Sequence, residues 1–229
     1  MKAIVLCGGL GTRLGALTRN TPKPLIDVAG RPFLAHVLDK LCIPEIDGFA
    51  LATGFHAEQV SDAIKATWQD RPVQYSVEGQ PLGTGGAIRL AMENFGLDQA
   101  LVVNGDTLFD CDLHAMVDGF DRSRWATRMA LRYVNDCARY GRVQLADDNR
   151  VIGFCESGHL GAGLINAGVY VQRLAPLDSY GAAPFSFETD YLAKLNSAWP
   201  IQGQVKDGYF VDMGIPEDLA RARHDLLGR

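Results

Sequence analysis

Apolar runs and amphipathic stretches alternate over residues 1–110 of the chain. Four runs have the length and composition of buried strands: residues 3–7, 48–53, 73–77 and 100–104. Apolar positions recur at helical spacing in three stretches between them: residues 32–42, 56–68 and 84–95. Pro32 begins the first predicted helix, and Thr84 is a candidate N-cap of the third. This β-α-β-α-β-α-β order predicts a parallel sheet covered by helices on both faces.

The pattern changes after residue 110. A predicted helix near 112–122, with Asp112 as a candidate N-cap, comes before a series of shorter elements. These are strands at 126–134, 140–146, 150–155 and 164–172, a helix at 186–197, strands near 201–205 and 209–212, and a helix at 216–227. We predict an α/β fold, a Rossmann-like three-layer sandwich with a mostly parallel central sheet and a β-rich C-terminal portion. Since no linker or repeat is evident, we expect one domain over residues 1–229.

The composition is that of an ordinary globular protein, and it narrows the classes of function. With 229 residues and a net charge of −5, the chain lacks the basic field of a nucleic-acid or membrane-surface binder. The five cysteines are odd in number and show no C-x-x-C spacing, which favours free thiols in a reducing compartment. The first apolar run is too short for a signal peptide or a membrane span, so we expect a cytoplasmic protein.

A glycine-rich loop follows the first predicted strand in "LCGGLGTRL", residues 6–14, and "KPL" begins at Lys23. The P-loop pattern of kinase-type ATPases does not occur, and Leu14 occupies the third glycine's place in the dinucleotide pattern. Consecutive glycines let backbone N–H groups converge on phosphate oxygens. Arg13 adds a forked cation, and Lys23, between two prolines, adds a compact one. The loop therefore predicts phosphate binding of another kind.

"LCGGLGTRL" followed by "KPL" resembles the signature of the sugar-nucleotidyltransferases, also called nucleoside diphosphate sugar pyrophosphorylases. The resemblance implies that Arg13 faces the departing pyrophosphate and that Lys23 reaches the α-phosphate. It also implies nucleotide contacts by a set of residues at this loop, with the phosphates on residues 8–13: Leu6, Gly8, Gly9, Gly11 and Thr12.

The segment "EGQPLGTGGA", residues 78–87, resembles the family's base-binding segment. It implies nucleotide contacts by Glu78, by Gly83, where the backbone approaches the base, and by Thr84. Glu78 can accept hydrogen bonds from the N1–H and N2–H₂ groups of guanine, whereas uracil or thymine offers one such donor. This comparison favours GTP, although relatives that use uridine nucleotides also carry a glutamate here.

Two carboxylates follow strand-like runs, Asp106 in "LVVNGDTLFD" and Asp212 in "GYFVDMGIPEDL". Both segments resemble metal-binding segments of the family, which implies that Asp106 and Asp212 hold Mg²⁺ and that Asp106 is catalytic. Two carboxylates together with phosphate oxygens form a typical Mg²⁺ environment. The alternative for Asp212 is a cap on the last helix.

The sugar half, residues 111–229, follows the family less closely than the nucleotide half, residues 1–110. The resemblance implies sugar-phosphate contacts by Asn104, Gly141, Glu156 and Asn166. The family's usual lysine after the glutamate is absent, because Ser157 follows Glu156. Three basic residues are candidate replacements, and the sequence does not decide between them: Arg139, Arg142 and Lys206.

Within the family, "NGDTLFDCDL", "INAGVYV", "FSFETDYL" and "DMGIPEDLARA" resemble segments of D-glycero-α-D-manno-heptose 1-phosphate guanylyltransferases. The resemblance implies transfer of GMP from GTP to that heptose 1-phosphate. Mannose-1-phosphate guanylyltransferase, N-acetylmuramate-1-phosphate uridylyltransferase and a nucleotide-sugar sensor without turnover are the alternatives. The expected partners are GTP and a sugar 1-phosphate, with no nucleic acid and no membrane; a homo-oligomer is compatible with the sequence.

Overall fold

A computed structural model describes residues 1–9, 12–54, 56–155 and 161–227. The strands are β1 Lys2–Leu6, β2 Asp27–Val28, β3 Arg31–Pro32, β4 Gly48–Thr53, β5 Thr67–Trp68, β6 Arg71–Val77, β7 Gln99–Asn104, β8 Thr107–Asp110, β9 Thr127–Val134, β10 Arg142–Leu145, β11 Val151–Cys155, β12 Gly163–Arg173, β13 Ile201–Val205 and β14 Tyr209–Asp212. The α-helices are α1 Phe33–Lys40, α2 Ala57–Ile64, α3 Gly83–Asn94, α4 Leu113–Val117, α5 Ala175–Asp178 and α6 Pro216–Asp225. Two 3-10 segments, Thr12–Thr18 and Lys23–Leu25, and one π-helical turn, Phe187–Leu192, complete the description.

Ten of these strands form one mixed sheet. Its parallel centre is β7-β1-β4-β6, in which Val5 of β1 lies between Val103 and Leu51 of its neighbours. Beyond β7 the strands β12, β9 and β10 pair antiparallel, and β13 pairs parallel with β9. The first part of the chain thus builds the parallel centre and the second part extends it, as the alternation of apolar runs predicts.

The side chains of the central strands alternate between two apolar cores, one on each face of the sheet. On β4, Phe49 and Leu51 face one core, and Ala50 and Ala52 face the other. Helices α1, α2, α4 and α6 contribute buried residues to the first core, and α3, α5 and the π-helical turn contribute to the second. Two helical layers around a buried sheet are the predicted three-layer sandwich.

A two-stranded ribbon outside the main sheet brings the end of the chain back to the first part. Strand β14 pairs antiparallel with β8, so that Asp212 lies opposite Thr107. The backbone N–H of Met213 donates to the carbonyl of Asp106 at 3.0 Å. The ribbon therefore places Asp106 and Asp212, far apart in sequence, at the same point of the fold.

Two of the predicted helices in the first part, 32–42 and 56–68, extend beyond the observed ones. Pro32 does not begin α1; it has extended dihedrals (φ −53°, ψ 139°) and pairs in β3. The helix predicted over 56–68 ends at Ile64, because Lys65 adopts a left-handed φ of 64° and Thr67 then pairs with β6.

Two predicted helices of the second part are also too long. The helix near 112–122 ends at Val117, and the buried guanidinium of Arg128 accounts for this end, since it donates to the carbonyls of Met116, Asp118 and Gly119. The start is as predicted, because Asp112 Oδ1 accepts from the N–H of Ala115 at 2.9 Å. The helix predicted over 186–197 is only the π-helical turn 187–192.

Other expectations concern thiols and membranes. Cys7, Cys42, Cys111 and Cys137 are free thiols, as the uneven cysteine count predicts. Within the described ranges, no helix has the length and apolar character needed to cross a membrane.

Gly105 joins β7 to the loop that carries Asp106, and it lies against the end of β1. Its N–H donates to the carbonyl of Leu6 at 2.9 Å, and a Cβ added to Gly105 would lie 2.5 Å from that oxygen. We predict that Gly105→Ala lowers the free energy of unfolding by about 1–3 kcal/mol, because backbone atoms must shift. Urea unfolding measures this, with Gly79→Ala as the control, since no atom lies within 4 Å of a Cβ there. Equal stability of the two variants would contradict the prediction.

Candidate active site

A cavity of about 730 Å³ lies at the carboxyl ends of the four parallel strands. It is bounded by residues that follow β1, β4, β6 and β7, including Gly8, Gly54, Glu78 and Asp106. Open parallel sheets bind ligands at this edge, because loops from several strands converge there. Its described lining consists of Leu6, Cys7, Gly8, Gly9, Lys23, Pro24, Ala52, Gly54, Glu78, Gly79, Gln80, Pro81, Gly83, Thr84, Ala87, Asn104, Asp106 and Glu188.

The glycine loop begins at the floor of this cavity. Leu6, Gly8 and Gly9 line it. A Cβ at Gly8 would lie 3.0 Å from Glu78 Oε1, so the missing side chain lets the loop pass close to that carboxylate. Cys7 is also at the floor, and burial raises the pKa of its thiol, which keeps it neutral. Gly11 lies outside the described residues, as do the side chains of Thr12 and Arg13, and their assignments stay predictions.

Lys23 and Asp106 form an ion pair at the rim of the cavity. Lys23 Nζ lies 2.5 Å from Asp106 Oδ2, with side chains 11% and 37% exposed. Pro22 and Pro24 flank the lysine, and Pro24 is buried, so a short 3-10 turn fixes its backbone. The predicted phosphate-contacting cation and the predicted metal-binding carboxylate are therefore direct neighbours.

Asp212 lies close enough to interact electrostatically with both members of this pair. Burial raises the pKa of its carboxyl and the charge of Asp106 raises it further, while Lys23 and Arg139 act in the opposite direction. The nearby cations thus do not fully offset the repulsion between the two carboxylates, and such a pair of oxygen ligands suits a divalent cation. Asp212 does not cap α6, because the N-cap of that helix is Ile215 and makes no side-chain capping bond.

Glu78 is held at the end of β6 by its own backbone and by its neighbours. Its N–H donates to the carbonyl of Thr53 at 2.9 Å, and its Oε2 accepts from the N–H of Leu82 at 2.7 Å. The other carboxylate oxygen, Oε1, lies beside Gly8. The carboxylate is thus fixed at the cavity wall, and its contact with the base stays a prediction.

Gly83 and Thr84 both line the cavity, and both also contact residues of the second half of the chain. The approach of the backbone at Gly83 to the base stays a prediction. Gly83 has φ +73°, and a Cβ there would lie 2.4 Å from the carbonyl oxygen of Phe185. Thr84 is not the N-cap of α3, because that position is Leu82. Thr84 Oγ1 instead accepts from the N–H of Phe187 and donates to Glu188, each at 2.8 Å. These residues hold a segment of the second half of the chain.

The predicted sugar contacts are distributed around this edge of the sheet. Asn104 lines the cavity, and its buried Oδ1 has no hydrogen-bond partner among the described residues. Asn166 Oδ1 accepts from the N–H of Gly168, and its Nδ2 donates to the hydroxyl of Tyr170 at 2.6 Å. Gly141, with φ +73°, lies outside the cavity lining. Glu156 lies outside the described residues, and all four sugar-contact assignments stay predictions.

Of the three candidate replacements for the missing lysine, Arg139 is the one whose charge acts on Asp212. Its Nη1 lies 2.6 Å from Oδ2 of the buried Asp218, in the first turn of α6. Arg142 Nε would lie 2.9 Å from a Cβ at Gly163, so its side chain follows β12. The charge of Lys206 acts on Cys111.

Several lining residues do not appear among the predicted site residues, and Glu188 is the chemically most distinctive of them. It lies in "FSFETDYL", a segment whose resemblance to the family assigns no role to single residues. Gln80 and Pro81 are close to Glu78 in sequence, and that proximity was a usable signal. For Glu188 no such signal exists, because the contact with Thr84 spans 104 residues.

Comparison with known proteins decides the family. The model of the family described as Nucleotidyl transferase matches residues 2–228. The chain belongs to the nucleotidyl transferase family. This confirms the family resemblance read from the glycine loop and from Lys23, and it makes the cavity the candidate active site of a nucleotidyltransferase.

Full-length relatives lie within this nucleotidyl transferase family. The chain is 36% identical over 227 residues to D-glycero-α-D-manno-heptose 1-phosphate guanylyltransferase of Aneurinibacillus thermoaerophilus, covering 99% of this chain and 98% of the relative. It is 36% identical over 219 residues to the protein of the same name from Campylobacter jejuni, covering 95% and 96%. The crystal structure of HddC from Yersinia pseudotuberculosis complexed with GMP-PN superposes with a TM-score of 0.84, at 31% identity and 98% coverage of both chains. The predicted fold class is confirmed.

The raised pKa of Asp212 has a measurable consequence for the metal-free nucleotidyltransferase. The stability that neutral Asp212 confers is present below its unfolded-state pKa and is lost as pH rises through its folded-state pKa. We therefore predict that Asp212→Asn is more stable than the parent at pH 7 in EDTA, and that the difference shrinks toward pH 4.

Urea unfolding at both pH values measures this difference. The control is Asp70→Asn, at an exposed turn position with φ +64° that asparagine also adopts, where little change is expected. A destabilised Asp212→Asn at pH 7 would contradict the prediction.

Proposed function

We propose that this nucleotidyltransferase transfers GMP from GTP to D-glycero-α-D-manno-heptose 1-phosphate, giving GDP-heptose and pyrophosphate. The observation that carries the proposal is the Lys23–Asp106 pair at the rim of the cavity, with Asp212 beside it. The two guanylyltransferases at 36% identity over nearly the whole chain support the choice of base and sugar. We place the nucleotide on residues 1–110 and the sugar phosphate on residues 111–229 of one domain.

We propose Mg²⁺ as the cofactor, held by Asp106 and Asp212. The two carboxylates fit a small divalent cation, because both are hard oxygen donors. Their negative charges repel each other when no cation lies between them. When bound, the ion neutralises the phosphate oxygens and lowers the barrier to attack at phosphorus.

The chain's own groups position the reactants in this proposal. Gly8, Gly9 and Lys23 line the cavity, and we assign the N–H groups of the two glycines to the triphosphate and Lys23 to the α-phosphate. The phosphate oxygen of the sugar 1-phosphate attacks the α-phosphorus, one P–O bond forms, and the bond to pyrophosphate breaks. Arg13 takes up the charge of the leaving pyrophosphate. Catalysis then consists of alignment and charge neutralisation, with no covalent enzyme intermediate.

Arg139 is the cation that we assign to the phosphate of the sugar. Asp218 fixes one edge of its guanidinium, and the ring of Tyr140 lies 5.3 Å below the guanidinium carbon. Its charge acts on Asp212, so the guanidinium lies near one of the two carboxylates that we assign to Mg²⁺. A guanidinium can bind two phosphate oxygens at once, which suits it to the role of the absent lysine.

A sensor that binds these ligands without turnover is the second candidate, favoured by the absence of the lysine after Glu156. Mannose 1-phosphate and N-acetylmuramate 1-phosphate are the rival sugars. Because both proposed substrates are phosphorylated metabolites, we propose that the protein acts in the cytoplasm.

Release of pyrophosphate tests the function directly. We predict release with GTP, Mg²⁺ and the heptose 1-phosphate in a panel of nucleoside triphosphates and these three sugar 1-phosphates. Lys23→Ala and Asp106→Asn should each lower kcat by about 100-fold or more, because each removes a charge that acts in the transition state. The matched controls are Lys40→Ala and Asp110→Asn, which disrupt a similar ion pair of 2.9 Å outside the cavity lining. Binding without release would favour the sensor, and release with UTP alone would overturn the guanine assignment.

Glu78→Gln tests the choice of base. The substitution keeps an acceptor for the N–H of Leu82 but removes the charge that two guanine donors would share. We predict that kcat/KM for GTP falls roughly tenfold or more, with a smaller change for UTP. Equal losses for both nucleotides would contradict base recognition by Glu78 and would indicate a role in holding the 78–82 turn.

A further inference from the structure

Glu188 is the one residue of the second half, 111–229, found in the described lining of the cavity. It lies in the π-helical turn Phe187–Leu192 and is half-buried. A π-helical turn is an uncommon element that often occurs at functional sites. Its position raises the question of what a carboxylate does there.

Two glycines of α3, Gly83 and Gly85, lie directly against the segment that carries Glu188. A Cβ at Gly83 would lie 2.4 Å from the carbonyl oxygen of Phe185, and one at Gly85 would lie 2.1 Å from its ring. The N–H of Gly85 donates to the Phe185 carbonyl at 3.1 Å, and Phe185 N–H donates to Leu82 at 2.9 Å. The glycine-rich start of α3 is therefore a docking surface for residues 185–188.

Thr84 then fixes the carboxylate itself. Its hydroxyl accepts from the N–H of Phe187 and donates to Glu188 Oε2, each at 2.8 Å. The hydroxyl of Ser186 also donates to Oε2, at 3.4 Å. Oε1 has no hydrogen-bond partner among the residues that the structure describes. One oxygen is thus anchored, and the other can accept hydrogen bonds from a ligand.

Glu188 is anchored on the predicted base segment through Thr84, and it also lies near a predicted sugar contact, because the ring of its neighbour Phe187 packs edge-on against Tyr170 with 5.0 Å between the ring centroids. Burial, and after it the charge of Glu188, raise the pKa of the Tyr170 hydroxyl, which accepts from Asn166. Glu188 is therefore electrostatically coupled to the side chain next to a predicted sugar contact. Glu78, the predicted base contact, is held at the end of another strand, β6.

The charge of Glu188 limits what it can bind. The cavity already contains the carboxylates of Glu78 and Asp106, with Lys23 as the one lysine in its described lining. A further carboxylate repels phosphates and acidic substituents, and it attracts hydroxyl donors, which form strong hydrogen bonds with an ionised acceptor.

We propose that Glu188 accepts hydrogen bonds from hydroxyl groups of the sugar 1-phosphate and selects neutral, polyhydroxylated sugars over sugars that carry a carboxylate. Thr84 is its positioning residue. The inference rests on the proposed function, because that function brings the sugar 1-phosphate to this cavity.

The test compares Glu188→Gln with the unmodified chain by calorimetry. Heptose 1-phosphate and N-acetylmuramate 1-phosphate are each titrated into protein saturated with a non-hydrolysable GTP analogue and Mg²⁺. We expect the affinity for heptose 1-phosphate to fall about tenfold and the preference over N-acetylmuramate 1-phosphate to narrow. Affinity for the GTP analogue, measured without sugar, should stay within about twofold. Thr84→Val, which lacks the hydroxyl, should weaken sugar binding, whereas Thr84→Ser, which keeps it, should bind the sugar as the unmodified chain does.

Glu93→Gln is the control, since Glu93 pairs with Arg89 on α3 outside the cavity lining. The proposal would be overturned by unchanged sugar affinity in Glu188→Gln or by an equal loss of affinity for the GTP analogue. It would also be overturned if the unmodified chain bound no sugar 1-phosphate whose sugar lacks a carboxylate. If the unmodified chain binds the sugar but releases no pyrophosphate, the proposed function fails, while a sugar-selective loss in Glu188→Gln still supports the role of Glu188.

Discussion

The parallel pairing of β1 with β4 and β7 is the constraint on which the candidate site depends. These strands are in register, with Leu6 opposite both Ala52 and Asn104, so their carboxyl ends stop at the same level. The glycine loop, Gly54 and the Asp106 loop consequently open onto one cavity. A shift of one strand by one residue would reverse its side chains between the two cores and would also displace its loop. The apolar alternation that stabilises the sheet therefore also sets the geometry of the site.

The elements behind this constraint are predictable because their sequence patterns are local, although the strand pairing itself joins distant residues. Each central strand is a short apolar run, and the helices between them repeat at helical spacing, so order and layers follow from periodicity. The bounds that were wrong depend on distant partners. The helix that begins at Leu113 ends where the guanidinium of Arg128 donates hydrogen bonds to three backbone carbonyls. That contact cannot be predicted from the residues next to the helix in the sequence. Pairing of Thr67 with β6 likewise overrides the apparent continuation of α2.

The site divides in the same way. Glu78, Lys23 and Asp106 could be placed at one cavity because each belongs to a motif of fixed spacing; Glu78 and Asp106 follow strands, and Lys23 lies in the 3-10 turn Lys23–Leu25. The proximity of Asp212 to Asp106 depends on the β8–β14 ribbon, and the family resemblance supplied it where periodicity could not. Glu188 had neither source, because its position follows from two glycine clefts and one threonine on another helix. Residues placed by tertiary docking are those that sequence patterns miss.

That docking also changes the meaning of the "LGTGG" segment. A motif that lines a nucleotide cavity is readily interpreted as a set of nucleotide contacts. Here, however, Gly83 and Gly85 lie so close to Phe185 that a side chain on either would clash with it. Thr84 forms hydrogen bonds with the N–H of Phe187 and with the carboxylate of Glu188. The segment connects the half that we assign to the nucleotide with the half that we assign to the sugar. Because Thr84 lines the cavity and bonds to Glu188, any displacement of α3 on nucleotide binding would move the Glu188 carboxylate with it. The start of α3 and residues 185–188 are thus held together by the Thr84 hydroxyl and by the backbone hydrogen bonds that Gly85 and Leu82 form with Phe185, which gives these glycines a structural role besides leaving room for a base.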